Sequence, residues 1–238
     1  MDNLVDLHTH SVLSKHAYSS LTENIDSAIE AGLKYLGISE HQSDPIGVGA
    51  HIYAFSTLSI IPPVYKGLRI LKGIEFNILN DSDLDIEDID LRPLDFGIAS
   101  IHGFCYRDDG FINNTENVLR AMNNPHVLVM GHLDRGFYSM DYEKIISECK
   151  KLHKLIEIND ASLFKLSDEK YLKAVSIMNE MLNICKKYNQ PIIMNSDAHI
   201  KYYVGKIDSV QKVVEDNGFP EELILNYSED LIKVYLKV

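Results

Sequence analysis

Short apolar runs alternate with segments of helical period along this chain. The first run is LVDL at 4 to 7. A helix is predicted near 21 to 31, where Ser20 and Glu23 form a capping box, Leu21, Ile25, Ala28 and Ile29 share one face, and Gly32 closes the end. YLGIS at 35 to 39, LRILKGIEF at 68 to 76 and DFGIAS at 95 to 100 read as strands. A helix near 115 to 123 then leads to VLVMG at 127 to 131. Another near 142 to 153, with Tyr142, Ile145, Ile146, Cys149 and Leu152 inward, leads to LIEIN at 155 to 159. A longer helix capped by Asp168 carries Leu172, Val175, Met178, Leu182 and Cys185 at core spacing, and PIIMN at 191 to 195 is the last run. Seven near-continuous apolar strands separated mostly by helices imply parallel strands covered on both faces. No GxGxxG or P-loop follows the first strand, so an α/β barrel is expected rather than a doubly wound dinucleotide-binding sheet.

The polar residues just beyond each strand carry the chemistry. The segment HTHSVLSKH after the first strand supplies His8, His10 and His16. The second strand ends in Glu40 and His41, the third carries Glu75, the next two deliver His102 and His132, and NSDAH after the last holds Asp197 and His199. Seven of the ten histidines thus fall at the carboxyl ends of predicted strands, the rim on which barrel active sites are built. Imidazole and carboxylate suit zinc, iron or manganese. His8 and His10 are two apart on an extended segment and point to one side, so they can grip one ion together. A single His-x-His is common by chance; combined with a closing Asp-x-His and three further strand-end histidines, it is specific.

Composition narrows the partners. The 238 residues carry a net charge of -12, with no basic stripe, and three bound dications would leave the chain negative. Such a field repels a nucleic-acid backbone and favours a small anionic substrate drawn to local metal charge over a long polyanion. Neither a signal peptide nor a membrane span is readable, so no membrane partner and a cytoplasmic location are expected. Cys105, Cys149 and Cys185 suit neither a disulfide framework nor a zinc knuckle. The acidic stretch DSDLDIEDID at 81 to 90 lacks the glycine and terminal glutamate of an EF-hand loop and reads as a solvated hairpin or loop. No Pro/Gly/Ser-rich linker breaks the pattern, so one domain over 1 to 238 is expected.

DLHTHS near the start, HAYS at 16 to 19, ISEH at 38 to 41, GIEFNI at 73 to 78, IH at 101 to 102, GH at 131 to 132 and NSDAH at 195 to 199 run in an order that resembles the PHP (polymerase and histidinol phosphatase) superfamily. Its small stand-alone bacterial phosphatases of the YcdX type are the nearest likeness. The resemblance implies a distorted seven-stranded (β/α)7 barrel and a trinuclear centre, usually zinc, with iron or manganese in some relatives. It would place one ion on His8, His10, Glu75 and Asp197, a second on His16, His41 and His199, and a third on Glu75, His102 and His132. Two departures, Glu40 where relatives tend to have Asp and Leu133 where they often have Pro, remove no ligand.

The chemistry this implies is a phosphomonoesterase that attacks phosphorus with a metal-held hydroxide and needs no protein nucleophile. Arg135, Arg107 and Lys15 are candidates for holding the phosphate, with a loop-surface cation as the plainer reading of each. His51 could line the pocket or sit exposed in its loop. His126, before a strand, and His153, at a helix end, read as structural. Three alternatives stay open: a nuclease or nucleotide phosphodiesterase, which would want a basic groove or an aromatic stacking face; a histidinol-phosphatase; and a regulatory metal-binding protein without catalysis. An amidohydrolase also opens with His-x-His on a barrel strand, but His16, Glu75 and the closing Asp-x-His fit it less well. Self-association into a homo-oligomer stays open.

Overall fold

A computed structural model describes residues 2–42, 49–80, 84 and 91–238. The acidic stretch therefore lies outside the described residues, Leu84 aside. Seven parallel strands stand in the order β1 (Val5–Asp6), β2 (Tyr35–His41), β4 (Leu68–Asn77), β5 (Phe96–Ser100), β6 (Val127–Gly131), β7 (Leu155–Asn159) and β8 (Ile192–Asn195), and β3 (Val64–Tyr65) is a short antiparallel partner of β4. All seven expected strands are present. The barrel closes at β1 and β8 through a single parallel bridge between Thr9 and Ala198 instead of a ladder. His10 N–H donates to Ala198 O at 2.9 Å, and Leu7 N–H to the Asn195 side-chain oxygen at 2.9 Å. The result is the expected distorted (β/α)7 barrel, nearly closed.

The helices are α1 (Leu21–Glu30), α2 (Ile52–Ser56), α3 (Gly110–Met122), α4 (Tyr142–Lys151), α5 (Asp168–Tyr188), α6 (Asp208–Asp216) and α7 (Glu229–Leu236). The Ser20/Glu23 capping box is formed, and Gly32 takes φ +77° just past α1. Three details differ from the sequence reading. Helix α3 begins at Gly110, five residues early, because its first turn exposes Phe111 and Ile112 and so breaks the amphipathic pattern. Ser167, not Asp168, holds the N-cap position of α5, and Leu172 faces solvent.

Side chains of alternating parity divide the apolar interior in two. Ile70, Met130, Ile156 and Ile192 face outward into the layer beneath the helices, whereas Leu71, Phe96, Ile98, Val129, Leu155 and Ile193 form a floor inside the barrel. Ile232 and Leu236 of α7 pack into that same inner cluster and stopper the N-terminal opening. The active rim is left at the other end.

The floor fits only because glycine stands beside Phe96. A Cβ on Gly37 would lie 2.6 Å from Leu7 Cα and 2.7 Å from the Phe96 ring. Gly37→Ala is therefore expected to lower unfolding free energy by about 1–3 kcal/mol in urea titrations. A change within about 0.5 kcal/mol, the ordinary surface range, would show the floor to be looser than described.

Candidate metal centre

The nine candidate donors converge at the carboxyl ends of the strands. His8 and His10 follow β1, His41 ends β2, Glu75 lies near the end of β4, His132 directly follows β6, and His102, Asp197 and His199 come within four residues of β5 or β8. The β1/β8 seam sets His8 and His10 against Asp197 and His199. His16 reaches the group from the short helical turn after β1.

Glu75 is at the middle. Its Oε2 lies 3.2 Å from His8 Nε2, 3.5 Å from His10 Nε2 and 2.9 Å from His41 Nδ1, and its Oε1 lies 3.3 Å from His102 Nε2 and 3.1 Å from His132 Nε2. Asp197 Oδ1 stands 3.5 Å from His8 Nε2 and 3.2 Å from His10 Nε2. His16 Nε2 and His199 Nε2 face each other at 2.9 Å. Three overlapping groups have donor atoms within 4.8 Å of one another: His8, His10 and Glu75; His41, Glu75 and His102; and His10, His41 and His199. His41 thus stands between two of the groups, and not only with His16 and His199.

Acceptors behind the rings set their tautomers. His8 Nδ1 faces the Glu157 carboxylate at 2.7 Å, His16 Nδ1 the Ser14 carbonyl at 2.8 Å, and His199 Nδ1 the Asp197 carbonyl at 3.0 Å. Each partner can only accept, so each Nδ1 carries a proton and each Nε2 is turned to the cluster, where it offers a lone pair whenever the ring is neutral. His102 Nδ1 donates likewise to the Asn77 side-chain oxygen at 2.6 Å. The Ser14 hydroxyl donates to Glu40 at 2.6 Å, so toward His10 Nδ1, 3.3 Å away, it can only accept.

These residues fit bound cations. Among buried polar atoms, His8 Nε2, His10 Nε2, His41 Nδ1 and Glu75 Oε2 have no hydrogen-bond partner, and all four point into one space. Buried polar atoms are ordinarily satisfied, and two imidazole lone pairs at van der Waals contact repel unless a positive charge joins them. Titration behaviour agrees. Burial pushes the His8 pKa down, but Glu157, Glu75 and Asp197 outweigh it and hold it well above the ordinary imidazole value. Burial and the neighbouring His41 hold His10 well below it, and burial with Arg135 nearby pushes His132 down to about 4. Against burial, the surrounding imidazoles hold Glu75 ionised, well below the usual carboxylate range. His132 and Asp197 have φ of 29° and 51°, a left-handed conformation that side chains avoid unless the surroundings enforce it.

Sequence reading missed the supports. Glu157, fully buried, accepts from His8 Nδ1, from His132 N–H at 2.7 Å and from the Asn195 amide at 2.8 Å. An acidic residue in the middle of the apolar run LIEIN was its only signal. Asp134, also buried, accepts from Asn159 N–H and the Ser162 hydroxyl, and burial raises its pKa to about 7.

The four phosphate or pocket candidates separate. Arg135 reaches the centre, its guanidinium donating to Asp197 Oδ2 at 2.8 Å. His51 instead caps α2, its Nδ1 accepting from Tyr53 N–H at 3.2 Å, and is exposed. Arg107 is exposed beside Asn80, and Lys15 is exposed at φ 63° at the end of the turn that carries His16.

The PHP domain family model matches residues 6–237. The chain belongs to the PHP domain family. A probable phosphatase of Clostridium acetobutylicum is 38% identical over 238 residues, covering 100% of this PHP chain and 96% of the relative. Two solved structures share the fold. A histidinol phosphate phosphatase from Lactococcus lactis, complexed with zinc, L-histidinol and phosphate, has a TM-score of 0.61 at 20% identity over 92% of this chain and 95% of its own. A putative histidinol phosphatase from Listeria monocytogenes has a TM-score of 0.64 at 19% identity over 87% and 99%.

Glu157→Gln keeps the shape of the PHP barrel but sets an amide where His8 needs an ionised acceptor. Competition with a chromogenic chelator should show metal affinity weakened about 10–100-fold. Affinity equal to wild type would mean that Glu157 only fills space.

Proposed function

We propose that this PHP domain is a metal-dependent phosphatase hydrolysing a small phosphomonoester at a three-ion centre, with zinc the leading ion and iron or manganese the alternatives. One ion would be held by His8, His10, Glu75 and Asp197, a second by His16, His41 and His199, and a third by Glu75, His102 and His132. The observation that carries the reading is the set of three buried imidazole nitrogens without a hydrogen bond, His8 Nε2, His10 Nε2 and His41 Nδ1, gathered around Glu75, whose two oxygens face different histidines. When bound, the ions supply Lewis acidity toward phosphoryl oxygens and bring coordinated water near neutrality in acidity. The names of the relatives as phosphatases, and the zinc, L-histidinol and phosphate held by the Lactococcus lactis protein, support the reaction class.

The chain's own residues do the positioning. Glu157, Ser14, Asn77 and two backbone carbonyls hold five imidazoles with Nε2 inward, so little ring rotation is left to freeze when phosphate arrives. Arg135 is anchored by Asp197 through one amino group, and its remaining N–H groups orient the phosphate at the rim. No helix among the described residues is long and apolar enough to cross a membrane.

Elemental analysis of the purified chain, with a phosphate-release screen over sugar phosphates, nucleotides, histidinol phosphate and a chromogenic ester, tests this directly. Hydrolysis that is lost on chelation and restored by metal is expected. Three ions per chain with no phosphate released from any ester would overturn the reaction. Arg135→Ala should lower kcat/KM about 10–100-fold, the worth of a hydrogen bond to a charged group. Unchanged kinetics would remove Arg135 from the site.

A further inference from the structure

A cleft opens at the end of the barrel opposite the metal centre, between the N-terminal ends of β5, β6 and β7 and the last turn of α7. Its volume is about 340 Å³, within the range of small-molecule sites. The chain carries a net charge of -12, yet Lys154, Lys237, His126 and His153 line this cleft against one carboxylate, Asp95. That carboxylate is engaged, accepting from Lys72 N–H at 2.8 Å. Lys154 is 8% exposed, and its Nζ donates to the carbonyl oxygens of Asn124, at 2.8 Å, and of Val127. An ammonium has three N–H groups, so one is left over. Among the described residues no carboxylate pairs with Lys154, and burial pushes its pKa down, as for a cation short of compensating charge. His153 stands at φ 53° just past α4, a place that glycine usually fills. Among the described residues neither its ring, the His126 ring nor the Lys237 ammonium has a partner.

We propose that this cleft is a second ligand site, for a small organic anion whose carboxylate or phosphate head meets Lys154 and the two imidazoles while an apolar body lies against Leu128, Val234 and Tyr235. A buried ammonium held by two carbonyls alone is costly, and a charge-assisted hydrogen bond from its third N–H to an anion supplies the missing compensation. The apolar wall decides for an organic anion over an inorganic one: Val234 is 69% exposed and Tyr235 partly so, and only a ligand with a hydrocarbon part removes that surface from water. A metal ion fits less well. His126, His153 and Asp95 do not bring their donor atoms together as the histidines of the centre do, and two ammonium groups beside them repel a cation. At the back of the cleft, Phe96 and Leu236 belong to the packed inner cluster, so this wall is formed before any ligand arrives. The site shares no residue with the metal centre, and it stands whatever reaction that centre performs.

NMR of the zinc-loaded full chain, isotope-labelled at histidine, tests this at the site itself. The His126 and His153 signals, assigned from His126→Gln and His153→Gln, are expected to shift saturably with octanoate, with a Kd below about 1 mM. Octylphosphonate carries the same tail on a phosphate-like head, and the tighter of the two anions identifies the head group. Octanol keeps the tail without the charge and should bind at least about tenfold more weakly. Lys154→Met keeps the aliphatic stem and should weaken octanoate binding about 10–100-fold, the worth of a hydrogen bond to a charged group. His126→Gln/Lys237→Gln changes exposed side chains only, leaves His153 as the reporter and should weaken binding about two- to fivefold; it covers the case in which Lys154→Met fails to fold. No saturable shift with either anion, octanol as tight as octanoate, or affinity unchanged in the variants would overturn the site. Shifts confined to the histidines of the metal centre would overturn it as well.

Discussion

The ionised carboxylate of Glu75, sealed inside the barrel among five imidazole rings, is the constraint on which the site depends. A buried charge without a compensating partner is expensive. The surrounding histidines cannot all compensate it as cations, because they would repel one another: His10 and His132 are held neutral while His8 and His41 are drawn toward protonation. Divalent ions bound there would resolve the conflict, since Glu75 and the facing imidazoles could all serve as ligands, and proton and ion would then compete for the same positions.

The rest of the barrel is arranged to hold that cluster still. Below Glu75, the floor of Leu71, Phe96, Ile98, Val129, Leu155 and Ile193 excludes water, with α7 closing the far end. At the seam, a single bridge replaces a β1/β8 ladder, and this leaves His8, His10, Asp197 and His199 free to turn inward while the two segments stay joined through Ala198, which accepts from His10 N–H and donates to His8 O. The left-handed backbone at His132 and Asp197 costs free energy locally. Glu157 offsets part of it at His132 by accepting that residue's N–H. The same carboxylate fixes His8, so one buried side chain couples opposite walls of the site.

Much of this was legible in the sequence because two signals coincide. Doubly covered parallel strands leave apolar runs, and barrel chemistry collects just beyond them, so seven histidines at strand ends marked both fold and rim. The supports were hidden for a physical reason. Glu157 and Asn77 act through the protons on the Nδ1 atoms of His8 and His102, a relation between strands that no spacing along the chain encodes. Helix α7 was not read because its residues bury into the barrel mouth and not against a neighbouring helix. Leu172 was misplaced because periodicity gives a face but not how wide that face is.

Anomalous scattering at the zinc edge, from crystals of the full chain grown with saturating zinc, addresses the role of Glu75 most directly. Peaks are expected beside both Glu75 oxygens, one flanked by His8, His10 and Asp197 and the other by His102 and His132. Crystals that show ordered histidines and no anomalous peak beside Glu75 would contradict it.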